Sequence, residues 1–119
     1  MAGERPHLTV IDHGTVKEVQ FADRKILDEL CISEIGDQIV KLVASVPRIR
    51  LLLNFKAVEH LSSAALGMLI RIDKHATEGG GKLRLSNIAP QIFEVFKITR
   101  LDKIFEIHDT AAHALEGFS

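Results

Sequence analysis

In Leu51–Ile72, LLLNFKAVEHLSSAALGMLIRI, an aliphatic run meets a polar loop and then a Ser-Ser pair that opens an amphipathic helix. Ile49–Phe55 contains Leu51-Leu52-Leu53 without alternation. A strand covered on both faces has this pattern, which predicts parallel neighbours. The helix after Ser62 turns Ala65, Leu66, Leu69, Ile70 and Ile72 inward and leaves Arg71, Lys74 and His75 outward. Its N-terminus carries free N–H groups and a partial positive charge, so it suits an anion, including a phosphate on a serine. Ser62 supplies an N-cap through its hydroxyl. That leaves Ser63 in the first turn, near solvent. On spacing alone, a cap and a solvated neighbour explain both serines; a regulatory site is the sharper alternative.

Working outward, Leu8–Ile11 and Thr15–Phe21 read as the arms of a hairpin turned at Asp12-His13-Gly14. Ala22–Ile26 reads as a polar connection. From Asp28 to Ser45, Ile32, Ile35, Ile39, Leu42 and Val43 recur at helical spacing, and Pro47 ends the helix. Gly36 inside it costs about 1 kcal/mol against Ala, which close packing on the sheet explains. Downstream, Gly79-Gly80-Gly81 closes the second helix and Lys82–Ser86 forms a strand. Pro90 opens a helix carrying Ile92, Phe93, Val95 and Phe96. Ile104–Ile107 is a short strand, and Asp109 caps a last helix through Ala111, Ala112, Ala114 and Leu115. Strands alternating with helices predict one α/β domain over residues 1–119, with a mostly parallel sheet after the first hairpin.

Composition excludes several functions. The net charge of −1 offers no basic field for a phosphate backbone, so no nucleic-acid partner is expected. Cys31, the single cysteine, forms no internal disulfide and suits a reducing cytosol. No apolar run approaches the roughly 20 residues that span a bilayer. Met1–Pro6 is polar, without an apolar segment of signal type.

The chemistry-bearing residues point away from catalysis. His60 is near Ser63 in sequence, but there is no G-x-S-x-G elbow and no triad. The six histidines show no metal-ligand spacing, and His108 and His113 would fall on different faces of a continuous helix. Cys31 reads as a packing residue of the first helix. Gly79-Gly80-Gly81 lacks nucleotide-loop spacing. No metal, cofactor or enzymatic activity is expected.

LLLNF followed by AVEHLSSAALGMLI resembles the strand and the D-S-[ST]-G-L-G-x-L switch motif of the STAS domain, named for sulfate transporters and anti-sigma factor antagonists. KLRLSNIAPQIFEVFKITRLDKIFEIHDTAAHAL resembles that family's C-terminal half, and Ile26-Leu27-Asp28 its residues before the first helix. The resemblance implies a STAS-type fold with a mixed, mostly parallel sheet of five strands and four helices. It implies a non-catalytic antagonist that binds an anti-sigma factor of serine-kinase type, frees a sigma factor for transcription and is reset by a phosphatase in a bacterial cytosol. The family's phosphorylated serine falls on Ser63. Ser62 stands at the motif aspartate and caps the helix, and Ala65 stands at a motif glycine. The implied contact surface is the loop Lys56–Leu61 with the helix Ala64–His75, led by Glu59, His60, Leu61, Ser62, Ser63, Ala64, Gly67 and Arg71. A second reading is a non-switching scaffold, in a stress-signalling complex or as the accessory subunit of a membrane lipid transporter. A scaffold would self-associate, as a homodimer, or stay in a stable complex, which separates it from a transient switch.

Overall fold

The computed structural model describes residues 7–118. Met1–Pro6, read above as a polar lead, lies outside the described residues, as does Ser119. The elements are β1 (Leu8–Asp12), β2 (Val16–Phe21), β3 (Lys25–Ile26), α1 (Glu29–Ser45), β4 (Arg50–Asn54) and β5 (His60–Leu61). They continue with α2 (Ser63–Glu78), β6 (Lys82–Ser86), α3 (Pro90–Ile98), a 3-10 turn (Leu101–Lys103), β7 (Glu106–His108) and α4 (Ala111–Leu115). The main sheet has the order β1-β2-β4-β6-β7. Among the described residues, only the β1–β2 hairpin of this sheet is antiparallel; β4 pairs parallel with β2 and β6, and β7 pairs parallel with β6.

The unbroken Leu51-Leu52-Leu53 run follows from coverage on both faces. Leu51 and Leu53 join the main core beneath α1, α2 and α3, with Ile35, Ile39, Leu69, Ile72 and Phe96. Leu52 points the other way, onto Val16, Ala114 and Phe118 under α4. That second face is small, so α4 needs an anchor. Arg84 supplies it, donating to the carbonyls of Ala114 and Glu116 at 2.9 Å each and lying over the Phe118 ring.

Several expectations are corrected. The connection 22–26 contains β3, which pairs parallel with β5 in a second, two-stranded sheet. Two-residue strands carry no readable periodicity. Ile70 is 44% exposed, while Met68 and Ala76 are buried. At about 100° per residue, the stripe Ala65, Leu69, Ile72, Ala76 leaves Ile70 beyond the edge of the core. Gly36 packs on α2, not on the sheet: a Cβ there would meet Arg71 Nη2 and Met68 Cγ. The last strand is Glu106–His108, because the 3-10 turn takes up the residues before it and leaves Ile104 exposed. His108 therefore lies in β7, and no single helix holds it with His113. Thr110, not Asp109, caps α4, accepting from His113 N at 3.1 Å. The triple glycine is a helix end and turn as expected. Gly80 has φ +77°, and a Cβ on Gly81 would collide with the Ile49 backbone as β6 enters beside β4.

Candidate functional site

The site is built around the start of α2. Ser62 is the N-cap, in an extended conformation, and its hydroxyl accepts from Ala65 N at 3.2 Å. Ser63 is the first helical residue and is exposed. No acidic residue stands in the first turn of α2. Its leading N–H groups thus meet only neutral acceptors, Ala65 N the Ser62 hydroxyl and Leu66 N the Ser62 carbonyl, and no acid of α2's own first turn offsets the positive end of the helix dipole.

The loop that delivers Ser62 is firmly held. Phe55 N donates to Ser86 O, Val58 N to Phe55 O, and Lys56 N to Asn54 Oδ1, each at 2.9 Å. Glu59 N and His60 N share the Arg24 carbonyl at 2.7 and 3.1 Å, and Ser62 N reaches Ile26 O at 3.1 Å. The β3–β5 pairing thus fixes the approach to α2 from the side. Beneath the loop, buried Glu18 accepts from His13 Nε2 at 2.7 Å, Asn54 Nδ2 at 2.9 Å and Gln20 Nε2 at 3.0 Å. Burial acts to raise the Glu18 carboxyl, but the hydrogen bonds from Asn54, Gln20 and His13 outweigh it and hold the group below its ordinary value. Asn54 spends its amide on Glu18 and its oxygen on the loop, so one side chain joins the sheet to the site.

Six of the expected contact residues line two grooves divided by α2, and Ser62 and Ser63 line neither. Glu59, His60 and Leu61 line the first, of about 230 Å³, with Leu27, Leu66, Gln91, Ile92 and Val95. Ala64, Gly67 and Arg71 line the second, of about 320 Å³ between α1 and α2, with Glu29, Ile32, Ser33 and Met68. Sequence reasoning missed the contributions of Leu27, Gln91 and Val95. Val95, one of the apolar residues that α3 carries, is exposed at the rim of the first groove. Gly67 is exposed, and a Cβ there would meet nothing within 4 Å. Among the described residues, no contact requires it to be glycine. Arg71 lies over Gly36 and reaches Asp37 at 3.4 Å.

His60 is exposed and, among the described residues, forms no side-chain hydrogen bond that would align it as a base. Cys31 is half-buried against the main core, as its packing role requires. Burial first, then the Asp23 carboxylate, pushes its thiol up to about 11, so it is protonated near neutral pH. His7, which showed no ligand spacing in the sequence, lies beside Cys31 and Asp23 in the fold.

A family model described as the STAS domain matches residues 11–114. The chain belongs to the STAS domain family. A Thermotoga neapolitana protein named as a homologue of an anti-sigma factor antagonist is 36% identical over 67 residues, covering 56% of this chain and 59% of the relative. The chain thus spans about 59% of the length of that curated relative. An anti-sigma factor antagonist STAS domain protein from Planctomyces limnophilus superposes with a TM-score of 0.83 at 20% identity, over 94% of this chain and 97% of that one. An anti-sigma factor antagonist from Mycobacterium paratuberculosis gives 0.78 at 26% identity, over 91% and 89%. The fold is thus the one expected, a mixed sheet of five strands with four helices. Among the described residues, no helix is long and apolar enough to cross a membrane.

Proposed function

We propose that this chain is an anti-sigma factor antagonist: it binds an anti-sigma factor of serine-kinase type, and phosphorylation of Ser63 ends that binding. The observation that carries the reading is the exposed Ser63 at the first position of α2, between two grooves floored by apolar side chains. The names of the relatives support the general role. A phosphate on Ser63 would add about −1.5 to −2 charges where α2 presents no acid of its own. The firmly bonded loop keeps that charge from unfolding its surroundings, so its effect falls on the partner. Glu59, His60, Leu61, Ala64, Gly67 and Arg71 form the proposed contact, with Ser62 as cap. The partners are cytosolic, no catalysis by this chain is involved, and a phosphatase restores the binding form.

Ser63→Ala serves as bait for the anti-sigma factor, and wild type and Ser63→Asp are then compared in binding to it. Loss of binding by Ser63→Asp alone is the expected result; equal binding by both, with no phosphate on Ser63 after incubation with kinase and ATP, rejects the switch. A stable scaffold is the second reading, favoured by Leu30 and Ile98, which are 67% and 79% exposed. It predicts a permanent complex or homodimer by size-exclusion mass, indifferent to Ser63.

A further inference from the structure

Away from the α2 start, three segments distant in sequence bring metal-binding side chains to one point. His7 immediately precedes β1, Asp23 lies between β2 and β3, and Cys31 is in the first turn of α1. Cys31 Sγ is 3.8 Å from His7 Nδ1 and 3.7 Å from Asp23 Oδ2, and His7 Nδ1 is 2.7 Å from Asp23 Oδ2. One donor atom from each residue falls within a 4.8 Å cluster. With bonds of about 2.3 Å to sulfur and about 2.0–2.1 Å to nitrogen or oxygen, tetrahedral zinc sets its S–N and S–O edges near 3.6 Å and its N–O edge near 3.3 Å. Both sulfur edges already match within a few tenths of an ångström. Only the His7–Asp23 hydrogen bond must open, by roughly 0.6 Å, and neither side chain is locked in the core.

A second feature is independent of these three atoms. The other imidazole nitrogen, His7 Nε2, lies 3.5 Å from Glu34 Oε2, one helical turn beyond Cys31. A carboxylate on the far nitrogen is the usual partner of a metal-bound histidine; it fixes the ring and aims the near nitrogen at the ion. The surroundings are also anionic: Asp23 lies in the cluster, Asp28 accepts from Cys31 N, and Glu34 faces His7. A divalent cation complements that charge.

We propose that His7 Nδ1, Asp23 Oδ2 and Cys31 Sγ form a three-ligand site for Zn²⁺, with water in the fourth position and Glu34 orienting His7. The mixed thiolate, imidazole and carboxylate set selects zinc over magnesium or calcium. On binding, the ion forms bonds to all three atoms and loses coordinated water. The Cys31 S–H proton leaves to solvent, and His7 binds as the neutral imidazole, with Nδ1 on the ion and its one N–H proton on Nε2 facing Glu34. The partly exposed ligands make the ion exchangeable. Bound, it ties the start of β1 to the first turn of α1. This site stands apart from the Ser63 reading and survives if that reading fails.

The test is a titration of the full chain with Co²⁺, which reports thiolate ligation by a sulfur-to-metal charge-transfer band. Wild type gives the band at one metal per chain, and Zn²⁺ displaces it. Cys31→Ser abolishes it. His7→Gln and Asp23→Asn weaken Co²⁺ binding more than about tenfold, and Glu34→Gln about tenfold. Melting of each variant in chelator confirms folding; if Cys31→Ser does not fold, the more peripheral His7→Gln and Asp23→Asn carry the test. The site is overturned if wild type shows no band in excess Co²⁺. It is equally overturned if the band and affinity are unchanged in His7→Gln and Asp23→Asn, or if one metal is bound per two chains.

Discussion

The two long helices of this protein pack against each other yet begin differently. The cap of α1 is a carboxylate, Asp28, which accepts from Cys31 N at 3.0 Å, and Glu29 follows in the first turn. The cap of α2 is a hydroxyl, Ser62, and no acid follows. Charge near a helix N-terminus is worth about 0.3–1 kcal/mol at the surface. In α1 the chain has taken that stabilisation permanently. In α2 it remains available to a charge that arrives and leaves. A regulatory phosphate needs this second kind of start.

The largest expected effect tests whether the start of α2 is held as firmly as that of α1. Asn54→Ala removes a donor from buried Glu18 and an acceptor from Lys56 N, and should cost about 3 kcal/mol by denaturant unfolding. Hydrogen exchange should rise in the loop 55–59 before it rises at the start of α1. Glu18 gives the pH arm. Its folded carboxyl lies below its ordinary value, so it contributes stability above the unfolded glutamate value of about 4.3 and loses it as pH falls through the folded value. Glu18→Gln should flatten this part of the acid limb.

Next comes charge at the two starts. Ser63→Asp should weaken partner binding about 100-fold, roughly 2.7 kcal/mol, and leave the fold intact. Asp28→Asn alters charge at α1 and should change partner binding less than about threefold, because Asp28 lines neither groove. The caps follow. Ser62→Ala should cost about 1 kcal/mol. Asp28→Ala should cost that plus about 0.3–1 kcal/mol of dipole interaction. Ser62→Asp should recover the dipole part in α2, and the gain should vanish near 1 M salt, where screening acts within about 3 Å.

The smallest effect separates two glycines facing different neighbours. Gly67→Ala meets open space and should stabilise the free chain by about 0.5–1 kcal/mol. Gly36→Ala gains the same propensity but must displace Arg71 and press on Met68, so it should gain less. If Gly67 is there for a partner's close approach, its alanine variant should bind the partner more weakly while melting higher.

Features set by local pattern were legible in the sequence. Leu51-Leu52-Leu53 announced a doubly covered strand, Pro47 and the triple glycine ended helices, and Ser62 was recognisable as a cap from its type and place. Features set by tertiary contact were not. The β3–β5 pair has no periodicity, Arg84 holds α4 from 30 and 32 residues away, and the two grooves depend on how α1 and α3 flank α2. Ile70 falls outside the core it was expected to join, because apolar spacing alone cannot distinguish a core stripe from its rim. His7, Asp23 and Cys31 lie 16 and 8 residues apart in sequence. Only the return of the hairpin beside α1 makes them neighbours. Asp109 and Thr110 are both competent caps by type, and backbone conformation chose between them.

The most direct measurement of the central claim is the intact mass and partner affinity of the chain after incubation with its anti-sigma kinase and ATP. A single phosphate on Ser63, absent from Ser63→Ala, and loss of partner binding by the modified chain are predicted. A chain that takes no phosphate at Ser63, or that binds equally well with it, would contradict the account.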